Sequence, residues 1–124
     1  MNSSSSKVDD YYLHLVLLED CPYSNSAADL INNYNIKNVE INRISRVDID
    51  KFKTDLIKTY PQVYLKRRSK KGSMLLGGYD NLKNFFDKFY KTQLDDSNVD
   101  NFMKKSNWSK KSTLRLIELI NQKV

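Results

Sequence analysis

The chain has 124 residues, 40% of them hydrophobic and 29% charged, with a formal net charge of +6 at pH 7 and one cysteine. That length supports a single domain around one core, since domains commonly run to about 100–150 residues. One thiol excludes an internal disulfide, and no apolar stretch is long enough for a membrane span or a signal-peptide core, so a cytoplasmic protein with no membrane partner is expected.

Residues 1–10, with the run Ser3–Ser6, are polar and charged and predict a mobile arm. Tyr12-Leu13-His14-Leu15-Val16-Leu17-Leu18 is almost continuously apolar, as in a strand covered on both faces of a sheet. Cys21-Pro22-Tyr23-Ser24 follows, and Ala27, Leu30, Ile31 and Tyr34 then recur at helical spacing until Asn33 and Asn35 offer a stop. Val39-Glu40-Ile41 alternates and predicts a second strand, reached by a crossover and therefore parallel to the first. Asp48 can cap a helix that buries Ile49, Phe52, Leu56 and Ile57 and stops at Tyr60-Pro61.

Gln62–Leu65 and Ser73–Leu76 predict a hairpin about the polar turn Arg67–Gly72. After Gly77-Gly78, a helix places Leu82, Phe85, Phe86 and Phe89 on one face. A polar stretch with Asp95, Asp96 and Ser97 leads to Trp108 and a helix near residues 109–122 carrying Leu114, Ile117 and Ile120. That apolar stripe can dock on the domain with Trp108 as an anchor, or form a surface for a protein partner. The order β-α-β-α-β-β-α describes an α/β fold, a small four-stranded mixed sheet with helices on both faces in an αβα sandwich, plus an appended C-terminal helix.

Cys21 is the candidate nucleophile. A strand that delivers a cysteine to the start of a helix sets its sulfur beside unpaired backbone N–H groups and the positive end of the helix dipole, both of which favour thiolate. Pro22 suits the first helical turn, where a missing N–H costs nothing. The competing reading is an inert, buried cysteine acting as a small hydrophobe. His14, the sole histidine, has no partner at ligand spacing and suits packing better than metal binding or catalysis. Lys66–Lys71 and Lys104–Lys111 are basic, but with no arginine-rich arm and only Trp108 as a stacking group they read as solvated faces and not as a nucleic-acid surface.

Three segments then coincide: Cys21-Pro22-Tyr23-Ser24 between strand and helix, Thr59-Tyr60-Pro61-Gln62-Val63 before a strand, and Leu76-Gly77-Gly78-Tyr79-Asp80-Asn81 before the next helix. Together they resemble the glutaredoxins, of the thioredoxin-like superfamily, whose pattern is Cys-Pro-Tyr-Cys, Thr-Val-Pro and Gly-Gly-x-Asp; here Ser24 stands at the second cysteine. The resemblance implies a domain over residues 11–91 and an extension over 92–124. It further implies a cis bond before Pro61, glutathione as co-substrate, and a groove in which the Tyr60 backbone pairs with the cysteinyl part of glutathione. Tyr23 would line that groove, Gly78, Asp80 and Asn81 would receive the γ-glutamyl end, and Lys58 would meet the glycyl carboxylate. Ser24 would hydrogen-bond the sulfur or cap the first helical turn.

The expected function is a monothiol oxidoreductase that reduces glutathionylated proteins through Cys21. The alternative is a non-catalytic interaction or regulatory module, favoured by Glu19-Asp20 where relatives carry a lysine, because carboxylates disfavour a thiolate. A glutathione-ligated iron–sulfur cluster ranks lowest, since the motif carries Pro22 where the cluster-bearing branch has glycine.

Overall fold

The computed structural model describes residues 10–91, 96–104 and 108–121. The arm expected over residues 1–10 lies outside them except for Asp10, which is held firmly. Its carboxylate accepts the Ser69 N–H (2.9 Å), the Ser69 hydroxyl (2.6 Å) and Arg67 Nε (2.9 Å).

The described residues form an α/β fold, with four strands in the order β2-β1-β3-β4 and four helices. The apolar run becomes β1 (Tyr11–Leu18), which pairs in parallel with β2 (Val39–Ile44) and antiparallel with β3 (Gln62–Arg67). Leu15 therefore stands between Ile41 and Val63. The hairpin closes with β4 (Ser73–Gly77), and a register shift falls between Val63 and Tyr64.

Alternation along β1 divides the core in two. Leu13, Leu15 and Leu17 face one way, into a large cluster with Ala27 and Ile31 of α1 (Pro22–Asn33) and Leu82, Phe85, Phe86 and Phe89 of α2 (Tyr79–Phe89). Each such fully buried side chain contributes roughly 1.5–3 kcal/mol. Val16 and Leu18 face the other way, into a small cluster with Ile44 and Tyr60.

The C-terminal residues belong to the first cluster. Val99 of α3 (Asp96–Met103) and Leu116, Ile117, Leu119 and Ile120 of α4 (Lys110–Ile120) are buried in it. Phe102 and Trp108 complete an aromatic group around Phe85, with ring centroids 5.1–5.6 Å apart. Asn121 closes the end of α4 against α2 by donating to the Phe89 carbonyl at 2.9 Å. The stripe of α4 thus faces this chain's own core. Helix α3 was not expected, because its eight residues carry little apolar signal.

The helix expected from Asp48 does not form. Arg46–Asp48 makes a single 3-10 turn, in which Asp48 is the last residue and not a cap, and turns and bends follow to Pro61. Distant side chains take the carbonyls that an α-helix would use: the Tyr60 hydroxyl donates to Ile49 and the Gln62 amide to Phe52. Thr54 Oγ1 accepts the N–H groups of Leu56 and Ile57, a local alternative to helical bonding. Ile49 and Phe52 pack against the small cluster, whereas Leu56, expected to be buried, is 81% exposed. All four helices contribute to the large cluster, and the second face of the sheet is covered by irregular chain, contrary to the expected helical layer there.

Candidate active site

Cys21 is the N-cap of α1, in extended conformation (φ −114°, ψ 117°), with Pro22 in the first turn. It is half-buried and packs against the small cluster that contains Tyr60. Burial of the thiol favours the neutral form. This is outweighed by the nearby Ser24 hydroxyl, the Ser24 and Tyr23 N–H groups of the first helical turn, and the charge of Arg46, so the thiol pKa lies below its ordinary value.

Ser24 is fully buried, and its oxygen accepts the Leu18 N–H at 3.0 Å. It therefore ties the end of β1 to the first turn of α1, and the same hydroxyl favours the Cys21 thiolate. The hydroxyl does not cap α1, since Cys21 is the N-cap and no side chain bonds there.

Arg46 is the site residue that sequence reasoning missed. Parallel pairing sets Ile44 beside Leu18, and the Glu19 N–H donates to the Ile44 carbonyl at 3.0 Å, which brings the segment after β2 against the loop before Cys21. The Arg46 guanidinium donates to the Asp20 carbonyl at 2.7 Å, and its N–H donates to the Glu19 carboxylate at 3.2 Å. Glu19 is thereby engaged with the backbone of Arg46. Asp20 adopts φ 56°, a turn conformation that aspartate tolerates better than most residues. The cation that favours the thiolate comes from the 3-10 turn after β2, and no local pattern around Cys21 could have announced it.

An open groove of about 580 Å³ lies between Tyr23 of the first turn of α1, the Tyr60–Pro61 segment and the start of α2. Of the expected residues, Tyr23, Tyr60, Pro61, Gly78, Asp80 and Asn81 line it, together with the unanticipated Leu56, Ile57, Leu75 and Tyr79. Cys21, Ser24 and Lys58 do not line it. Cys21 packs on the small cluster to which the lining residue Tyr60 belongs and lies two residues before the lining residue Tyr23, whereas Lys58 is exposed between the lining residues Ile57 and Thr59. Tyr23, 62% exposed, and Tyr79 lean together at the rim with ring centroids 6.5 Å apart.

The Tyr60–Pro61 peptide is cis, as the resemblance implied. The Pro61 carbonyl oxygen faces Gly78, where a Cβ would lie 3.6 Å from it. Gly77 has φ +128°, and a Cβ there would fall 2.4 Å from the Asn81 side chain, so only glycine fits. Asn81 Oδ1 accepts the Gly78 N–H at 3.0 Å and pins the bend to the start of α2. Asp80 is exposed in the first turn of α2, where a carboxylate suits the helix dipole.

His14 stands away from this groove, half-buried beside Tyr64, with Nδ1 shielded and without a hydrogen-bond partner. Among the described residues no group of three or more His, Cys, Asp or Glu could hold a metal, and no helix is long and apolar enough to cross a membrane. In comparisons with known proteins, no protein-family model, curated protein or solved structure matches the chain.

Proposed function

We propose that the chain is a cytoplasmic, thioredoxin-fold, glutaredoxin-like monothiol oxidoreductase that reduces mixed disulfides between proteins and glutathione through Cys21. One observation carries this reading: a thiol held toward its thiolate form packs on the cluster containing Tyr60, and Tyr60 with Pro61, Gly77, Gly78 and Tyr23 lines an open groove. A merely structural cysteine requires neither a lowered thiol pKa nor this groove.

In the proposed reaction the Cys21 thiolate attacks the glutathione sulfur of the mixed disulfide. The S–S bond of the mixed disulfide breaks, the protein thiolate leaves and takes a proton from solvent, and Cys21 becomes disulfide-linked to glutathione. A second glutathione thiolate then attacks the glutathione sulfur of that adduct, forming glutathione disulfide and releasing the Cys21 thiolate. Neither step needs a second cysteine, which is consistent with Ser24.

The Tyr60 backbone would pair with the cysteinyl unit as an added strand, aligning sulfur with sulfur. Gly78, the first turn of α2 and Asp80 would take the γ-glutamyl carboxylate and ammonium. Lys58 would meet the glycyl carboxylate at the outer end. Asn81 serves this site as a positioning residue, because its oxygen is engaged with the Gly78 N–H.

The test is turnover of a glutathionylated peptide with glutathione in excess, beside mass spectrometry after exposure to glutathione disulfide. The expected result is turnover lost in Cys21→Ser and a single glutathione adduct at Cys21. Undiminished turnover by Cys21→Ser would refute the assignment, and an adduct without turnover would favour a regulatory module.

A further inference from the structure

Two basic stretches far apart in sequence meet on the side of the molecule away from the thiol. Lys70 and Lys71 of the β3–β4 turn and Lys111 in the first turn of α4 line one cavity of about 340 Å³, with Tyr11, Ser73 and Ser112. Among the described residues no carboxylate lines it. Arg67, also at this cavity, is neutralised by Asp10 at 2.9 Å and lies over the Tyr11 ring at 5.0 Å. Among the described residues, none of the three lysines forms an ion pair.

The lysines stand on fixed backbone. Asp10 clasps the turn through Ser69 and Arg67 and also accepts the Arg68 N–H on its main-chain carbonyl at 2.8 Å. Gly72, at φ +106°, redirects the chain into β4. Helix α4 is anchored by Leu116, Ile117, Leu119 and Ile120 in the core. These three lysines give the concavity a lining of one charge sign, and an anion seated among them is attracted by all three.

Three ammonium groups call for more than one negative charge, and lysine is a common phosphate partner. Ligand pockets run from about 300 to 1,000 Å³, so a cavity this size suits a compact ligand. Nucleic-acid sites add exposed aromatic rings on which bases stack. The ring at this cavity, Tyr11, is 5% exposed and lies beneath Arg67.

We propose that this basin binds a compact polyphosphate group, whether inorganic or the tail of a phosphorylated metabolite, through Lys70, Lys71 and Lys111. It shares no lining residue with the groove near Cys21, so its failure would leave the redox proposal untouched.

The test is isothermal titration of the full chain with inorganic pyrophosphate in phosphate-free buffer at low ionic strength. One saturable site is expected, weakened roughly tenfold by Lys71→Gln and again by Lys111→Gln, the loss of one charge-assisted contact each. Lys88→Gln, exposed on α2 and outside the basin, should change nothing. A nucleoside diphosphate that binds equally well assigns recognition to the phosphates alone; one that binds more tightly, with the same loss in Lys111→Gln, assigns it to a phosphorylated metabolite. Absence of saturable binding would overturn the proposal, as would equal weakening by Lys88→Gln. So would tighter binding of a single-stranded oligonucleotide that is indifferent to Lys111→Gln.

Discussion

Replacing Ser24 by alanine removes one hydroxyl with two neighbours. On one side the fully buried Ser24 oxygen accepts the Leu18 N–H at 3.0 Å, and Leu18 itself is 6% exposed. Solvent cannot replace that acceptor without opening the junction of β1 and α1. An unpaired buried N–H costs about 1–3 kcal/mol. At about 4 °C per kcal/mol for a domain of this size, melting should fall by roughly 4–12 °C. On the other side the hydroxyl helps hold the Cys21 thiol below its ordinary range, so its loss should raise the thiol pKa.

The sign of the linked pH effect follows from the direction of that shift. The folded thiol has the lower pKa, so its ionisation stabilises the fold above the ordinary thiol range, and this contribution disappears as pH falls through the folded value. Urea denaturation and the pH dependence of iodoacetamide alkylation measure the two effects separately. Ser24→Ala should lose stability and move its alkylation profile to higher pH, whereas Ser24→Cys should lose less because sulfur is a weak acceptor and donor. An alanine variant with unchanged stability and an unchanged profile would refute both roles of Ser24.

Arg46→Gln should also move the alkylation profile to higher pH while changing stability by no more than about 1 kcal/mol, since the side chain is exposed; Lys51→Gln is the control for general charge. Phe85→Ala should cost about 3–5 kcal/mol in urea denaturation and alter Trp108 fluorescence, because Phe85 is fully buried with its ring centroid 5.6 Å from that of the tryptophan. Unaltered emission would mean that the C-terminal helices do not share the core. Burial, aided by Lys66 and partly opposed by Glu40, lowers the pKa of His14. The unfolded chain then binds the proton more readily, so stability should decline as pH falls below about 6.5 and level off below the folded value. His14→Gln should remove that decline, as followed by thermal melting across pH.

Much of the site could be read from short segments, because its parts are local in origin. A strand ending in Cys21-Pro22 must present sulfur at a helix start, and Gly77-Gly78 before a helix must bend sharply. The apolar run of β1 and the phenylalanine face of α2 likewise declared themselves through period alone. What failed was decided by contacts between distant residues. The segment after Asp48 has helical spacing, yet Tyr60 and Gln62 take its carbonyls, and two tertiary hydrogen bonds outcompete a short, weakly helical stretch. Arg46 reaches the loop before Cys21 only because β2 pairs in parallel with β1, and Lys111 reaches Lys70 and Lys71 only because α4 packs into the shared core. Period and capping along the chain determined β1, α1, β2, the β3–β4 hairpin, α2, α4 and where the thiol sits, but not α3 or the irregular segment after Asp48. Tertiary packing decided which charges surround it, since electrostatic neighbours depend on distance in space and leave no mark on spacing in sequence.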